Sequence, residues 1–383
     1  MSLRKYTFWL FINISLILIF IGTINRIIDP FWYYQDFEIS GINKVKPKMR
    51  NFERYVKPRI VAREQPNALI FGSSFSEIGF DPTNPTFTNH EKLVGYNFGI
   101  AGANWDRVQC YFDYALNKTR AKRVIIGISP GSLPRVNCKG ILPEIDNFSE
   151  ASLLFSMRSL SASIGTISAQ KKDTPSHTKE GMYYYIRGHA GVDDQFREFY
   201  KNREQCDLKS LRKANSKSVK LDAQLPKTNK DIIIDGLRHI IRSAKETNIE
   251  LRIVVYPVHA LWQEMSNICG SYKNYWNALN SIVQAIEQEG GNVEIWDFNQ
   301  YNDYTGESIT RQKATYWQDP EHFNFEFGDF MMDAMFNENS KISFGTKLTS
   351  KNLSSVYNAY LISRDKFINS HNDFLATLDK FIQ

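Results

Sequence analysis

From Asn67 onward the chain alternates short apolar runs with amphipathic stretches, and this alternation leaves few folds open to it. Strand patterns are expected at Ala68–Phe71, Val94–Phe98, Arg123–Ile128, Leu251–Tyr256 and Val293–Trp296. Between them, 106–117 places Val108, Tyr111, Phe112 and Ala115 on one helical face, and 232–247 keeps Ile233, Leu237, Ile240, Ile241 and Ala244 in phase. A third helical stretch, 272–289, runs into Gly290-Gly291, a pair suited to ending a helix. Strands alternating with helices require a mostly parallel sheet covered on both faces. The expected fold class is α/β: a flavodoxin-like three-layer sandwich around a mostly parallel five-stranded sheet.

The N-terminus obeys a different rule. Arg4-Lys5 precede a stretch from Tyr6 to Ile24 that has no charged side chain. At a rise of about 1.5 Å per residue, such a helix approaches the length that a bilayer core of about 30 Å demands. Tyr6, Phe8 and Trp9 at one end, and Phe31, Trp32, Tyr33 and Tyr34 beyond the other, suit the two membrane interfaces. A cleaved signal peptide and a buried core helix are the alternatives; no Ala-x-Ala-like site follows Ile24, which favours an uncleaved transmembrane anchor. Arg4, Lys5 and the terminal amine point to an N-inside orientation, with the globular domain extracytoplasmic, periplasmic or at the cell surface, although Arg26 on the other flank lessens the contrast.

The segments that follow are read as 1–24, cytoplasmic tip and anchor; 25–66, a tether carrying Pro30, Pro47, Pro58 and many charges; 67–336, an α/β domain; and 337–383, a C-terminal helical extension. Within the domain, 131–230 keeps no sustained period and reads as an insertion, helical near 152–167, that includes Lys171-Lys172-Asp173 and a lysine-rich stretch from Lys209 to Lys230. A net charge of +6 over 383 residues is modest and spread along the chain, which gives nucleic-acid binding little support. Cys110, Cys138, Cys206 and Cys269 match no zinc spacing; they are compatible with disulfides in an oxidising compartment and equally with buried free thiols. No phosphate-cradling glycine loop or His-x-x-x-His pattern appears, so no cofactor and no metal are expected.

Two pieces far apart carry the chemistry. Ala68-Leu69-Ile70-Phe71-Gly72-Ser73-Ser74 is an apolar run ending in a small-residue turn, which presents a serine hydroxyl at the carboxyl end of a strand. That is where open α/β sheets bind their ligands. Trp317-Gln318-Asp319-Pro320-Glu321-His322 sets a carboxylate and an imidazole three residues apart after the last strand. A serine nucleophile, a histidine base and an aspartate that orients it are what acyl transfer needs. Asp-Pro-Glu is also a common helix start, with Asp319 as cap. A glycine-rich run, Asn97-Phe98-Gly99-Ile100-Ala101-Gly102-Ala103-Asn104, follows the second strand and leaves backbone N–H groups able to approach an oxyanion, a contribution of about 3 kcal/mol each. Asn104 and His259, near strand ends, are candidate substrate contacts, whereas His90, His177, His189, His239 and His371 read as surface or helix-face residues.

These pieces resemble the blocks of the SGNH, or GDSL-type, hydrolase superfamily. Gly72-Ser73-Ser74 is similar to its first block, Gly102 to the glycine of its second, and Asp319-Pro320-Glu321-His322 to its last. The resemblance implies Ser74 as nucleophile, His322 as base and Asp319 as orienter, with the backbone N–H groups of Ser74 and Gly102 in the oxyanion hole. The third block departs from the pattern: Gly127-Ile128-Ser129-Pro130-Gly131-Ser132 lacks the usual asparagine. An anchored, extracytoplasmic domain of this kind looks like the partners of membrane-bound O-acyltransferases, which acylate cell-envelope polysaccharides. The resemblance therefore implies serine-dependent acyl transfer or ester hydrolysis on an envelope glycan. The alternative is a catalytically inactive carbohydrate-binding or scaffold protein.

Overall fold

The computed structural model describes residues 3–141, 149–170, 174–184, 194, 196–197, 220–228, 231–309, 314–342, 344–371 and 373–382. Lys171-Lys172-Asp173, His189, Cys206 and most of the lysine-rich stretch from Lys209 to Lys230 lie outside them. In chain order the elements are helices α1 (Leu3–Ile28) and α2 (Glu53–Glu64), strand β1 (Ala68–Phe71), α3 (Ser74–Gly79), β2 (Gly95–Asn97), α4 (Trp105–Lys118) and β3 (Arg123–Ile128). There follow α5 (Glu150–Phe155), α6 (Met157–Ala169), the two-residue strands β4 (Ser176–His177) and β5 (Tyr183–Tyr184), α7 (Asp235–Glu246), β6 (Glu250–Val255), α8 (Ala260–Ile268) and α9 (Tyr272–Glu289). β7 (Val293–Asp297), α10 (Phe325–Phe336), β8 (Thr346–Leu348), α11 (Leu353–Ser370) and α12 (Phe374–Ile382) complete the chain.

The main sheet has six strands in the order β2-β1-β3-β6-β7-β8. The first five run parallel, with Leu69 opposite Val124, Ile126 opposite Ile253 and Ile253 opposite Ile295. Every residue of β1 is buried, as are Val124–Ile128 and Leu251–Val255. Strands covered on both faces must be apolar throughout, which is why these runs do not alternate. The chain is thus α/β with a mostly parallel sheet, one strand larger than expected. The sixth strand, β8, pairs antiparallel with β7 and comes from the segment read as wholly helical. It spans three residues, Thr-Lys-Leu, too few to display a period.

The segment 25–66 is no free tether. Phe31, Trp32, Met49, Phe52, Val56, Ile60 and Val61 all enter the hydrophobic core, and α2 packs on α4. The charges that suggested solvent exposure, Glu53 and Lys57, are themselves buried. α1 is the single helix among the described residues that is long and apolar enough to cross a membrane. Cys110 is disulfide-bonded to Cys138, joining α4 to the strip that follows β3, and no free cysteine occurs among the described residues.

Candidate active site

β1 delivers the chain to Gly72 at the carboxyl edge of the sheet. Gly72 has φ +148°, and a Cβ there would lie 2.0 Å from the Tyr256 hydroxyl and 2.3 Å from Ser76 Oγ. Only glycine can make this turn. The Tyr256 hydroxyl accepts from the Ser73 N–H at 3.0 Å and lies 2.8 Å from Ser76 Oγ, while Ser76 reaches back to the Phe71 carbonyl at 3.1 Å. The turn is therefore fixed from below by a side chain at the end of β6.

Ser74, the first residue of α3, holds Oγ 2.8 Å from His322 Nε2. His322 Nδ1 lies 2.8 Å from Asp319 Oδ2 and 3.0 Å from Oδ1. Asp319 Oδ1 also accepts from the backbone N–H groups of Glu321 and His322, each at 2.9 Å. The carboxylate is buried and the imidazole nearly so, with side-chain exposures of 1% and 15%. A carboxylate can only accept, so Nδ1 carries the proton and Nε2 is left as the acceptor facing the serine. Residues 248 positions apart in sequence thus meet in one hydrogen-bonded chain.

The Asp-Pro-Glu segment is not a helix start. α10 begins at Phe325, capped by Asn324, which accepts from the Phe327 N–H at 3.2 Å. Asp319–His322 instead forms a turn clamped by the Trp317–Phe323 bridge, by the Gln318 N–H on the His322 carbonyl at 2.8 Å, and by the His259 N–H on the Pro320 carbonyl at 2.9 Å. Phe75 stacks on His322 on one side and on Tyr256 on the other, with centroids 4.6 and 4.7 Å apart.

The glycine-rich run lies beside α3. The Phe98 N–H donates to Ile70 and the Ile100 N–H to Gly72, at 2.7 and 3.0 Å. Asn97 is buried: its amide donates to the Ser76 and Phe80 carbonyls, each at 2.8 Å, and its carbonyl accepts from the Gly99 N–H at 2.9 Å. Gly102 sits at φ +61°. Its N–H, like that of Ser74, donates to no protein acceptor among the described residues. Asn104 caps α4 through the Arg107 N–H and lines a cavity of about 270 Å³ with Ser73, Trp105, Ser129 and Tyr256. A second cavity, of about 330 Å³, shares Ser129 and Tyr256, is flanked by Phe75 and Glu321, and is walled by Trp262 and Trp276. At the third block a Cβ on Gly127 would lie 2.1 Å from the Tyr256 ring, so that ring fills the space over the strand end.

His259 does not face the substrate region. It caps α8 by accepting from the Leu261 N–H at Nδ1, and its Nε2–H donates to the Glu307 carbonyl at 2.8 Å. Both nitrogens are used inside the protein, and burial lowers its pKa to about 4. Its position at a strand end suggested the rim; its ring turns into the core against Phe196 and Trp317 instead.

His177 is likewise no surface residue. Its Nε2 lies 2.8 Å from Glu77 Oε1, in a fully buried cluster behind α3. Glu77 also accepts from Lys57 at 2.9 Å and from Arg50. Burial opposes the Glu77 charge, yet Lys57 and His177 hold its carboxyl well below the usual range; burial and the adjacent Glu77 push Glu53 up. Glu53, Glu77 and His177 come close enough to share a cation. The Lys57 ammonium already supplies that positive charge. Sequence reasoning missed Tyr256, Phe75, Asn97 and this cluster. The alternation of charge in 50–57 was its only signal.

No known family model matches the chain, and no curated protein matches it in sequence. What the fold and the site define on their own is an α/β protein with a serine–histidine–aspartate chain at the carboxyl edge of a parallel sheet.

Proposed function

We propose that the chain is a membrane-anchored, serine-dependent acyl-transfer enzyme of SGNH type, acting as O-acyltransferase or esterase on a cell-envelope glycan. The observation that carries the reading is the continuous Ser74–His322–Asp319 hydrogen-bond chain. In it, Ser74 Oγ attacks the acyl carbonyl carbon while His322 Nε2 takes the hydroxyl proton, and Asp319 steadies the imidazolium. The Ser74 and Gly102 N–H groups receive the oxyanion. Collapse of the tetrahedral intermediate expels the alcohol, which leaves with the proton from His322, and Ser74 holds the acyl ester. Water or a sugar hydroxyl then gives its proton to His322 as its oxygen attacks the acyl carbon, and Ser74 departs as the hydroxyl, its Oγ receiving that proton from His322. A membrane-bound O-acyltransferase is the natural partner to supply acyl groups on this reading.

Two further features support it. The first five strands follow the order of a flavodoxin-like sheet, whose ligands sit at this edge. The Cys110–Cys138 disulfide and the apolar α1 fit an anchored domain in an oxidising compartment. The absent third-block asparagine favours a second reading, an inactive glycan-binding scaffold. Full-length protein in detergent, incubated with p-nitrophenyl acetate and with an O-acetylated glycan, separates the two. Acyl-Ser74 detected by mass spectrometry and turnover lost in Ser74→Ala are expected. Turnover unchanged by that substitution sinks the serine mechanism.

A further inference from the structure

The last two turns of α1 are wrapped rather than bare. Ile21, Gly22, Asn25 and Ile28 are the buried residues of that helix, and α5 and α6 cover them. Phe155 of α5 lies where a side chain on Gly22 would have to go. Asn25 donates to the Leu154 carbonyl at 2.7 Å and accepts from Ser163 of α6 at 2.8 Å. On the same end of α1, Asn43 donates to the Ile27 and Phe37 carbonyls, at 2.9 and 3.0 Å, and Lys46 Nζ to the Ile28 carbonyl at 2.6 Å. Two pieces of the globular chain, α5–α6 and the 37–43 loop, are therefore fastened around the membrane-proximal end of α1.

Both pieces present large apolar side chains outward, alongside exposed Glu38, Glu150 and Arg158. Phe155, Met157, Ile164 and Ile167 are 43–68% exposed, and Phe37, Ile39 and Ile42 are 38–49% exposed. α6 contains a single charged residue, Arg158, whose guanidinium rests on the Phe52 ring at 4.6 Å. Exposed charges of both signs, Lys44 and Lys48 with Asp36, Glu38 and Glu150, lie on or beside the same segments.

The length of α1 says what covers this surface. The charge-free run from Tyr6 to Asn25 measures about 30 Å as a helix and matches a bilayer core. The part left bare by the collar, Tyr6 to Phe20, measures only about 22 Å and cannot span it alone. If the collar stood clear of the membrane, the hydrocarbon would have to thin to meet it. We propose that α5–α6 and the 37–43 loop form a monotopic collar whose apolar face sinks into the headgroup–acyl boundary, seating the domain directly on the bilayer. The occupant is lipid, because the patch continues the bare surface of α1 without a polar break at Phe155 and Gly22.

The inference rests on α1 being an anchor, and its test keeps the two apart. Full-length protein bearing a nitroxide at Ile164→Cys, Met157→Cys, Leu16→Cys within α1, or Ser354→Cys on α11 is reconstituted in phosphatidylcholine/phosphatidylglycerol vesicles. Collisional relaxation by oxygen is then compared with that by a water-soluble nickel chelate. Labels at 157 and 164 are expected to favour oxygen, shallower than 16 and opposite to 354. Nickel access at 157 and 164 with oxygen access at 16 overturns the collar while the anchor stands. Nickel access at 16 removes the anchor, and the collar with it. Exclusion of both reagents at 157 and 164 means a protein surface covers the patch and also overturns the proposal.

Discussion

Lys57 donates to Glu77 at 2.9 Å in fully buried space behind the helix that Ser74 begins. The same ammonium donates to the Gly99 carbonyl at 2.6 Å, and Glu53 beside it accepts from the Ala101 N–H at 2.9 Å. One charge cluster thus grips both the nucleophile's helix and the glycine-rich run. A buried ion pair contributes little over an apolar isostere, but breaking one partner leaves an uncompensated charge. Lys57→Met is expected to cost about 3–5 kcal/mol in urea unfolding. Lys57→Met/Glu77→Met is expected to cost less than the sum of the single variants. An additive double variant would mean that the two residues do not act as a pair.

Substitutions along the hydrogen-bond chain separate chemistry from folding. Ser74 is partly accessible, and its hydroxyl pairs with His322. Ser74→Ala should change stability by no more than about 0.5 kcal/mol. Ser74→Ala, His322→Ala and Asp319→Asn should each lower kcat for acyl-ester turnover by about 10⁴-fold, and combining them should add little, because the three act as a unit. Losses that multiply in the triple variant would contradict a shared mechanism.

Much of this architecture is legible from residues alone, for physical reasons that also mark where the reading stops. Ala68–Phe71 and Arg123–Ile128 form strands over the expected residues, because a strand buried on both faces is an uninterrupted apolar run with hard polar edges. Ser74 is legible because it follows a legible strand, and Asp319 and His322 because they stand three residues apart in one polar segment. Partnerships across the core are not legible. Lys57 and Glu53 look like solvent charges until Glu77 is brought beneath them, and Tyr256 looks like a strand end until its hydroxyl meets Gly72. His259 shows the reverse error: a correct strand end does not reveal which way its side chain turns. β8 fails for want of length, and the collar because its apolar residues mimic an ordinary core.

His259 makes stability depend on pH. Burial depresses its folded pKa to about 4, below the unfolded value of 6.5. Between those values the unfolded chain binds the extra proton, so this contribution is complete above pH 6.5 and is lost as pH falls towards 4. It amounts to about 3 kcal/mol. Asp329 works in the opposite sense: burial raises its carboxyl to about 6, so its contribution is lost as pH rises from 3.8 to 6. Comparison with His259→Asn, which retains a helix-capping side chain, isolates the histidine. Urea midpoints measured from pH 7.5 to 4.5 should fall less steeply in the variant. Parallel profiles would remove His259 from the acid sensitivity.

Gly72 and Gly102 both have positive φ, yet they should respond differently to alanine. At Gly102 the nearest atom to an added Cβ is Arg54 Nη2 at 4.0 Å, so the cost is backbone strain alone, about 1–2 kcal/mol. The Gly102 N–H survives, and turnover by a folded Gly102→Ala should remain measurable. At Gly72 the Cβ would strike the Tyr256 hydroxyl and Ser76 Oγ at 2.0 and 2.3 Å, between the strand and the nucleophile. Gly72→Ala must either displace Tyr256 or rotate Ser74 away from His322, so it should abolish turnover even where it folds. Tyr256→Phe in the same background removes the first obstruction but leaves Ser76. Partial recovery of turnover in Gly72→Ala/Tyr256→Phe, read beside Tyr256→Phe alone, would assign the clash to the hydroxyl. Full activity in Gly72→Ala would show that the turn is not the device that aims Ser74.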